Sequence, residues 1–173
     1  MKTVLTSLLA FLVPFLSAYA QVASTQRIEF ELKDGFSSET LHPFGDQGFV
    51  LESKANKKIN DKNLWKYELF DTNLQSVKIT RVTIDKKFRY QEDYRDDNKI
   101  YNLFKDKYDR YKVFTINGKT LEVEEIEGKL KPRTYFYDMK VVNDFAYCDA
   151  MWGRMPTVVA IDLFTGEAKY YPV

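Results

Sequence analysis

The chain has 173 residues, of which 45% are hydrophobic, 29% charged and 16% aromatic, a composition typical of a globular protein of about one domain. Its 26 basic and 25 acidic residues nearly cancel, so it lacks the basic field that nucleic acid requires, and we expect no nucleic-acid partner. One histidine and one cysteine cannot supply a zinc site, and any histidine-dependent catalytic set would have to use His42. We predict neither a metal site nor a cofactor.

The N-terminus has the order of features of a secretory signal. Lys2 precedes an apolar stretch, 4–16, which is followed by the small residues Ala18 and Ala20. As a helix this stretch reaches about 20 Å, less than the roughly 30 Å hydrocarbon core of a bilayer, so a membrane span is not expected. The pattern predicts a signal peptide over residues 1–20, cleaved after Ala20.

Cleavage would leave residues 21–173 as a single secreted or periplasmic domain. Loss of Lys2 leaves equal numbers of basic and acidic residues. Cys148 has no partner for an intramolecular disulfide, so stability must come from an apolar core. The chain lacks an Asn-x-Ser/Thr sequon, which agrees with a bacterial exported protein.

Strand-like segments follow one another along the domain. Residues 28–33 alternate apolar and charged side chains, the two-residue period of a half-buried strand. Further runs rich in Tyr, Phe, Val, Ile and Thr are predicted as strands at 48–53, 64–71, 77–84, 99–105, 110–117, 120–126, 136–142, 145–150, 157–162 and 168–173. Because no amphipathic helix of three turns follows Arg27, we predict an all-β fold.

The strands repeat with a period of about 45 residues. In each repeat an apolar strand opens at Phe49, Ile100 or Phe145. A second strand then ends on Asp71, Asn117 or Asp162, and a tight turn follows. A period near 45 with about four strands per copy is typical of β-propeller blades.

The order of apolar strand, Asp-rich turn, strand ending in Asp or Asn, and Gly-containing turn resembles the blades of secreted bacterial β-propellers of the six-bladed, NHL-like or TolB-like kind. Segments 103–113 and 161–167 carry this resemblance. It implies consecutive antiparallel four-stranded sheets in a partial propeller-like array. About three blades are expected, over residues 46–84, 88–128 and 134–173.

Three blades leave the first and last sheet without a neighbour on one face. We favour a longer propeller of which this chain is the N-terminal part; dimerisation, or capping by strand 28–33, would also cover an open face. A compact β-meander or sandwich is the alternative fold. Because monomers rarely expose large apolar patches, we expect residues 21–173 to self-associate, with Trp152 or Met155 contributing.

Three polar segments and His42 are candidate sites, but each also has a purely structural interpretation. The acidic run 92–98 could supply calcium ligands but is interpreted as a solvated connection between blades. The glutamates of 122–127 could act as acid and base but are interpreted as the polar face of an outer strand. The lysine-rich segment 54–63 is interpreted as a mobile hairpin loop, and His42 as a turn residue.

Aromatic residues are the better candidates for binding, because they give a large contact area at small entropic cost. The apolar segment 151–156 contains residue types that are enriched at protein contacts. We predict binding residues at Trp65, Tyr135, Tyr137, Trp152, Arg154 and Met155.

Two functions fit these observations. The first is a non-catalytic binding or interaction module whose ligand is a protein or a carbohydrate. The second is a fragment or subunit of a secreted propeller hydrolase that acts on carbohydrate. The second requires carboxylates from different blades to converge on one mouth, which only a structure can show.

Overall fold

The computed structural model describes residues 35–56 and 58–173. These residues form three four-stranded antiparallel sheets, and within each sheet the strands pair in chain order. The all-β prediction is confirmed. The predicted signal peptide and the predicted strand at 28–33 lie outside the described residues. Within the described part, no helix is long and apolar enough to cross a membrane.

The sheets follow one another in sequence. Sheet 1 contains β1 (Phe36–Pro43), β2 (Phe49–Ala55), β3 (Lys62–Phe70) and β4 (Ser76–Asp85). Sheet 2 contains β5 (Arg89–Arg95), β6 (Lys99–Lys105), β7 (Arg110–Asn117) and β8 (Val123–Lys129). Sheet 3 contains β9 (Thr134–Val142), β10 (Phe145–Trp152), β11 (Met155–Asp162) and β12 (Ala168–Pro172). A 3-10 helix, Gly45–Gln47, joins β1 to β2.

The predicted repeat is confirmed at the level of strands and turns. Phe49, Ile100 and Phe145 all lie at the start of the second strand of their sheet. Asp71, Asn117 and Asp162 follow or end the third strand, where one side-chain oxygen of each accepts two backbone N–H groups from the turn that follows. The same side-chain to backbone hydrogen bonds therefore close the equivalent turn, after the third strand, in each of the three sheets.

Each turn also has one residue with positive φ at an equivalent place. These residues are Leu74, Leu121 and Gly166, with φ of 66°, 52° and 72°. In all three, the backbone N–H bonds the carbonyl oxygen of the Asp or Asn that begins the turn. Leucine adopts this left-handed conformation rarely, so the hydrogen-bonded turn and, for Leu121, burial in the core hold it there.

The core consists of two apolar layers separated by sheet 2. Along β7, Phe114 and Ile116 belong to the cluster that packs between sheets 1 and 2. Tyr111 and Val113, on the opposite face of the same strand, belong to the cluster between sheets 2 and 3. The two-residue alternation of a strand thus makes the middle sheet apolar on both faces.

Polar contacts fix the spacing of neighbouring sheets. The Tyr111 hydroxyl donates to the Gly166 carbonyl oxygen at 2.5 Å, which joins β7 to the last turn of sheet 3. Gly128 lies at the same junction, where an added Cβ would be 2.5 Å from that carbonyl oxygen. Between sheets 1 and 2, the Thr80 hydroxyl donates to the Leu121 carbonyl oxygen at 3.1 Å.

Three local predictions were wrong. No strand was predicted over β1, whose sequence is mostly small and polar. The acidic run 92–98 is not simply a connection, because Glu92 to Arg95 belong to β5. The strand predicted at 120–126 begins later, at Val123, because the Asn117 turn extends to Glu122.

We expect Tyr111→Phe to destabilise the fold by about 1 kcal/mol, because it leaves the Gly166 carbonyl oxygen without its donor while keeping the ring. Tyr108→Phe is the matched control, since Tyr108 is 59% exposed at the β6–β7 turn. Urea unfolding of both variants measures the difference. Equal stability of the two would show that this bond does not contribute to docking of sheets 2 and 3.

Candidate binding sites

Among the described residues, no other sheet packs on the face of sheet 3 that points away from sheet 2, and we call it the third-sheet face. Alternation along β9 and β10 places Met139 and Cys148 in the core and their neighbours outside. Large apolar side chains on this face are 41% to 64% exposed. They are Tyr137, Val142, Tyr147 and Tyr171.

Charges on the third-sheet face are arranged in rows across the strands. The lysine row runs through Lys140, Tyr147, Ala160 and Lys169, which are register partners on β9, β10, β11 and β12. The aspartate row, two residues along each strand, runs through Asp138, Asp149, Val158 and Tyr171. A cationic row therefore lies beside an anionic row on one face of the sheet.

The other predicted binding residues of sheet 3 lie at the hairpin that joins β10 to β11. Trp152 packs edge-on against Tyr170, with ring centroids 5.8 Å apart, and the Lys131 ammonium lies 4.1 Å from the Trp152 centroid. Trp152 is thereby paired within its own sheet, on the inner side. Arg154 and Met155 are exposed beside it. Tyr135 pairs with Met151 beside this hairpin, and the Lys105 ammonium of sheet 2 lies 5.8 Å from its ring centroid. Tyr137 instead lies on the third-sheet face.

Trp65 lies in a third place, a cleft of about 260 Å³ between sheets 1 and 2. Strands β1, β2 and β3 supply one wall, and β5 supplies the other. We call this the polar cleft; its lining residues are Thr40, His42, Glu52, Lys54, Trp65, Tyr90 and Asp93. Trp65 and Tyr90 stack across it with centroids 5.9 Å apart.

Hydrogen bonds hold the floor of the polar cleft in place. The Asn102 side-chain Nδ2 donates to Glu52 Oε2 at 3.1 Å and to the Tyr67 hydroxyl oxygen at 2.7 Å. Burial raises the pKa of Tyr67 well above its ordinary value, and the Glu52 carboxylate raises it further. Tyr67 therefore stays a neutral phenol, and Glu52 is anchored on the side away from the cleft opening.

His42 lies buried beside Glu52 in the polar cleft. It is 5% exposed, and its Nε2 lies 3.3 Å from Glu52 Oε2. Within the described part of the chain, that nitrogen makes no hydrogen bond. His42 was predicted as a turn residue, but it lies in β1 with its side chain toward sheet 2. No sequence pattern indicates this role, because the cleft partners come from four different strands.

Asp138 of the aspartate row is also close enough to Glu92, at the edge where sheets 2 and 3 adjoin, to act on it electrostatically. Burial raises the pKa of Glu92 on β5, and the negative charges of Asp138 on β9 and of Asp93 raise it further. Strands β5 and β9 are neighbours across the two sheets. Carboxylates from two predicted blades therefore approach one another at this point.

Two other reactive side chains, Cys148 and Lys112, are either buried or held in ion pairs. Burial raises the pKa of the Cys148 thiol to about 12, so it is not a nucleophile at neutral pH. In the wide cleft of about 650 Å³ between the outer strands of sheets 1 and 2, Lys112 pairs with Glu125 and Glu127. Across residues 35–56 and 58–173, no group of three or more His, Cys, Asp and Glu side chains could hold a metal ion.

Comparison with models of known protein families found no match. A search of curated proteins found no similar sequence. Functional inference for this chain therefore depends on its own sequence and geometry.

We expect Glu92→Gln to be more stable than the wild type at neutral pH. Because the folded-state pKa of Glu92 is raised, ionisation costs the fold stability as pH rises from the unfolded pKa through the folded one. In acid below about pH 3, where glutamate is protonated in both states, the two proteins should unfold alike. Thermal unfolding across this pH range, with exposed Glu124→Gln as control, measures the effect; a pH-independent difference would contradict it.

Proposed function

We propose that this chain is an exported, non-catalytic binding module of β-propeller type, and that it binds a second copy of itself through the third-sheet face. The observation that carries the proposal is the third-sheet face itself. It combines tyrosines that are about half exposed with adjacent rows of opposite charge. Tyrosine is enriched at protein contacts, where its rigid ring adds area at little entropic cost.

Several observations support propeller-type geometry. Three meander sheets follow one another with the same closing turn, and they pack face to face through two apolar layers. The first strands of sheets 2 and 3 lie next to each other, as the inner strands of adjacent propeller blades do. Export is supported by Lys2, the apolar stretch and the small residues that end at Ala20.

The charge rows favour a second copy over an unrelated partner. Consider a two-fold axis in the plane of the interface, across the strands and midway between the two rows. It places the lysine row of one copy opposite the aspartate row of the other. Lys140 then meets Asp138 of the second copy, and Lys169 meets the ring of Tyr171 of the second copy. Such a surface is complementary to itself, as a two-fold interface requires.

The size of the third-sheet face suits a reversible dimer. Four strands about 4.8 Å apart and about eight residues long make a patch of about 500 Å². A standard stable interface buries about 800 Å² per partner, and weaker ones bury less. We therefore expect an equilibrium between monomer and dimer in the micromolar range.

Charge reversal tests the proposed pairing. Lys140→Glu and Asp138→Lys each set like charges opposite one another in a homodimer, so we expect each variant alone to be mostly monomeric. An equimolar mixture of the two variants should dimerise again, because each copy then meets its opposite charge. Sedimentation velocity over a concentration series measures both effects.

The control for charge reversal is Lys119→Glu, at an exposed turn between β7 and β8. It should dimerise like the wild type. A wild-type chain that stays monomeric at all concentrations would refute self-association. If the mixture of the two variants stays monomeric, the third-sheet face does not pair in the proposed register.

Trp152 and Tyr137 should separate stability from association. Trp152→Ser removes a ring that packs on Tyr170 and Lys131, so we expect it to lower the unfolding temperature and leave association unchanged. Tyr137 is 64% exposed on the third-sheet face, so Tyr137→Ser should weaken association and spare stability. Thermal unfolding and sedimentation of both variants distinguish these effects; the reverse pattern would place the contact at the β10–β11 hairpin.

One observation favours a second candidate function, a hydrolase that acts on carbohydrate. Glu92 and Asp138 come from different sheets, and the raised pKa of Glu92 suits a general acid. A screen of chromogenic glycosides tests it. Activity that is present in the wild type and lost in Glu92→Gln would support the hydrolase over the binding module.

A further inference from the structure

We propose that the wide cleft between sheets 1 and 2 binds a small molecule that carries two or more anionic oxygen groups. Its lining residues come from the start of β3, the end of β4, the connection to β5, and the facing parts of β7 and β8. The volume of about 650 Å³ lies within the range of small-molecule sites. The third-sheet face belongs to sheet 3, so this site does not depend on the proposed self-association.

Cationic side chains outnumber carboxylates around the wide cleft. The cations are Lys62 and Lys87 at the sheet 1 side, and Arg110, Lys112 and Lys129 at the sheet 2 side. The carboxylates are Asp85, Glu125 and Glu127. An excess of positive charge in a cleft with low-dielectric walls raises the local concentration of anions.

All three carboxylates of the wide cleft are already engaged by lysines. Lys112 pairs with both Glu125 and Glu127 on the neighbouring strand. The Lys87 ammonium lies 3.1 Å from the Asp85 carboxylate. These pairs hold the carboxylates against the cleft walls, so they do not neutralise the remaining cations.

Two of the remaining cations lie directly opposite one another. Arg110 on β7 and Lys129 on β8 are register partners, and like charges at such positions repel each other. The Arg110 guanidinium is bound through two nitrogens by Asp106. Among the described residues, neither Lys129 nor Lys62 forms an ion pair, and both are exposed. An anion in the cleft would gain these two ammonium groups as charge-assisted hydrogen-bond donors.

The positions of the two free lysines favour a ligand with more than one anionic group. Lys62 belongs to sheet 1 and Lys129 to sheet 2, so a ligand with two such groups can contact both walls. Between the walls lie Ile84, Phe88 and Phe114, which are 2% to 5% exposed. These side chains offer no hydrogen-bond donor, so the anionic groups must lie near the lysines at the opening. Polyphosphates and polycarboxylates share this chemistry.

Pyrophosphate and citrate are the probes, because they present several negative charges on phosphate and on carboxylate groups respectively. Calorimetric titration of the purified chain at low salt, where charge screening is weak, should show saturable binding of at least one of them. The tighter of the two identifies the preferred anionic group. Lys129→Gln removes a free ammonium, so we expect about fivefold weaker binding. Lys119→Gln, at the exposed turn between β7 and β8, is the matched control and should bind like the wild type.

A second pair of variants tests the site with a change of opposite sign. Glu127→Gln removes one of the two carboxylates that neutralise Lys112, so we expect about threefold tighter binding of the same probe. Glu124→Gln changes the charge of the chain equally, but Glu124 lines a different cavity, with Tyr101 and Asp144. It should bind like the wild type.

Three results would overturn the anion site. The first is the absence of saturable binding of both probes to a chain that unfolds cooperatively. The second is equal affinity of Lys129→Gln and Lys119→Gln, which would show that overall charge attracts the anion. The third is equal affinity of Glu127→Gln and Glu124→Gln. Both pairs are compared at equal net charge, and none of these residues lies on the third-sheet face, so failure of the dimer leaves this test intact.

Discussion

The burial of sheet 2 on both faces is the constraint on which the rest of the structure depends. A β-strand presents alternate side chains to opposite sides, and β7 is apolar in both positions, with Val113 and Ile116 fully buried in different layers. Such a sheet cannot face water on either side. It requires one neighbour in front and one behind, and sheets 1 and 3 fill these places. Consecutive stacking follows from the composition of the middle repeat.

The stack leaves the two faces of sheet 3 with different environments. Its inner face is closed by small residues, such as Ala146 and Cys148, which let sheet 2 approach. Its outer face keeps tyrosines where a strand exposed to water alone would favour charges. The polar cleft arises from the other junction, where His42, Glu52 and Asn102 replace apolar side chains between two sheets. Each candidate site is thus a place where the usual pattern, with apolar side chains between sheets and polar ones outside, is broken.

Elements that depend on local chemistry are predictable from the sequence. Asp71, Asn117 and Asp162 mark the repeat because a side-chain oxygen that accepts two turn N–H groups acts within a few residues. Strands β1 and β5 were not predicted, since both are edge strands of polar composition whose pairing depends on β2 and β6. The cleft was not predicted either: Trp65 was identified, but its neighbours come from β1, β2 and β5. Contacts between distant strands leave no pattern in a single sequence.

The same physics explains why the aromatic residues predicted to bind lie in such different surroundings. Trp152 is the larger ring, yet it packs against Tyr170 and the Lys131 ammonium. Tyr137 is the extra residue at a register shift in the pairing of β9 with β10, between Asp138 and Phe136. A bulge turns its residue away from the regular ladder and re-aims the side chain. Exposure at a bulge beside a row of carboxylates therefore makes Tyr137 a stronger candidate than Trp152 for the proposed contact.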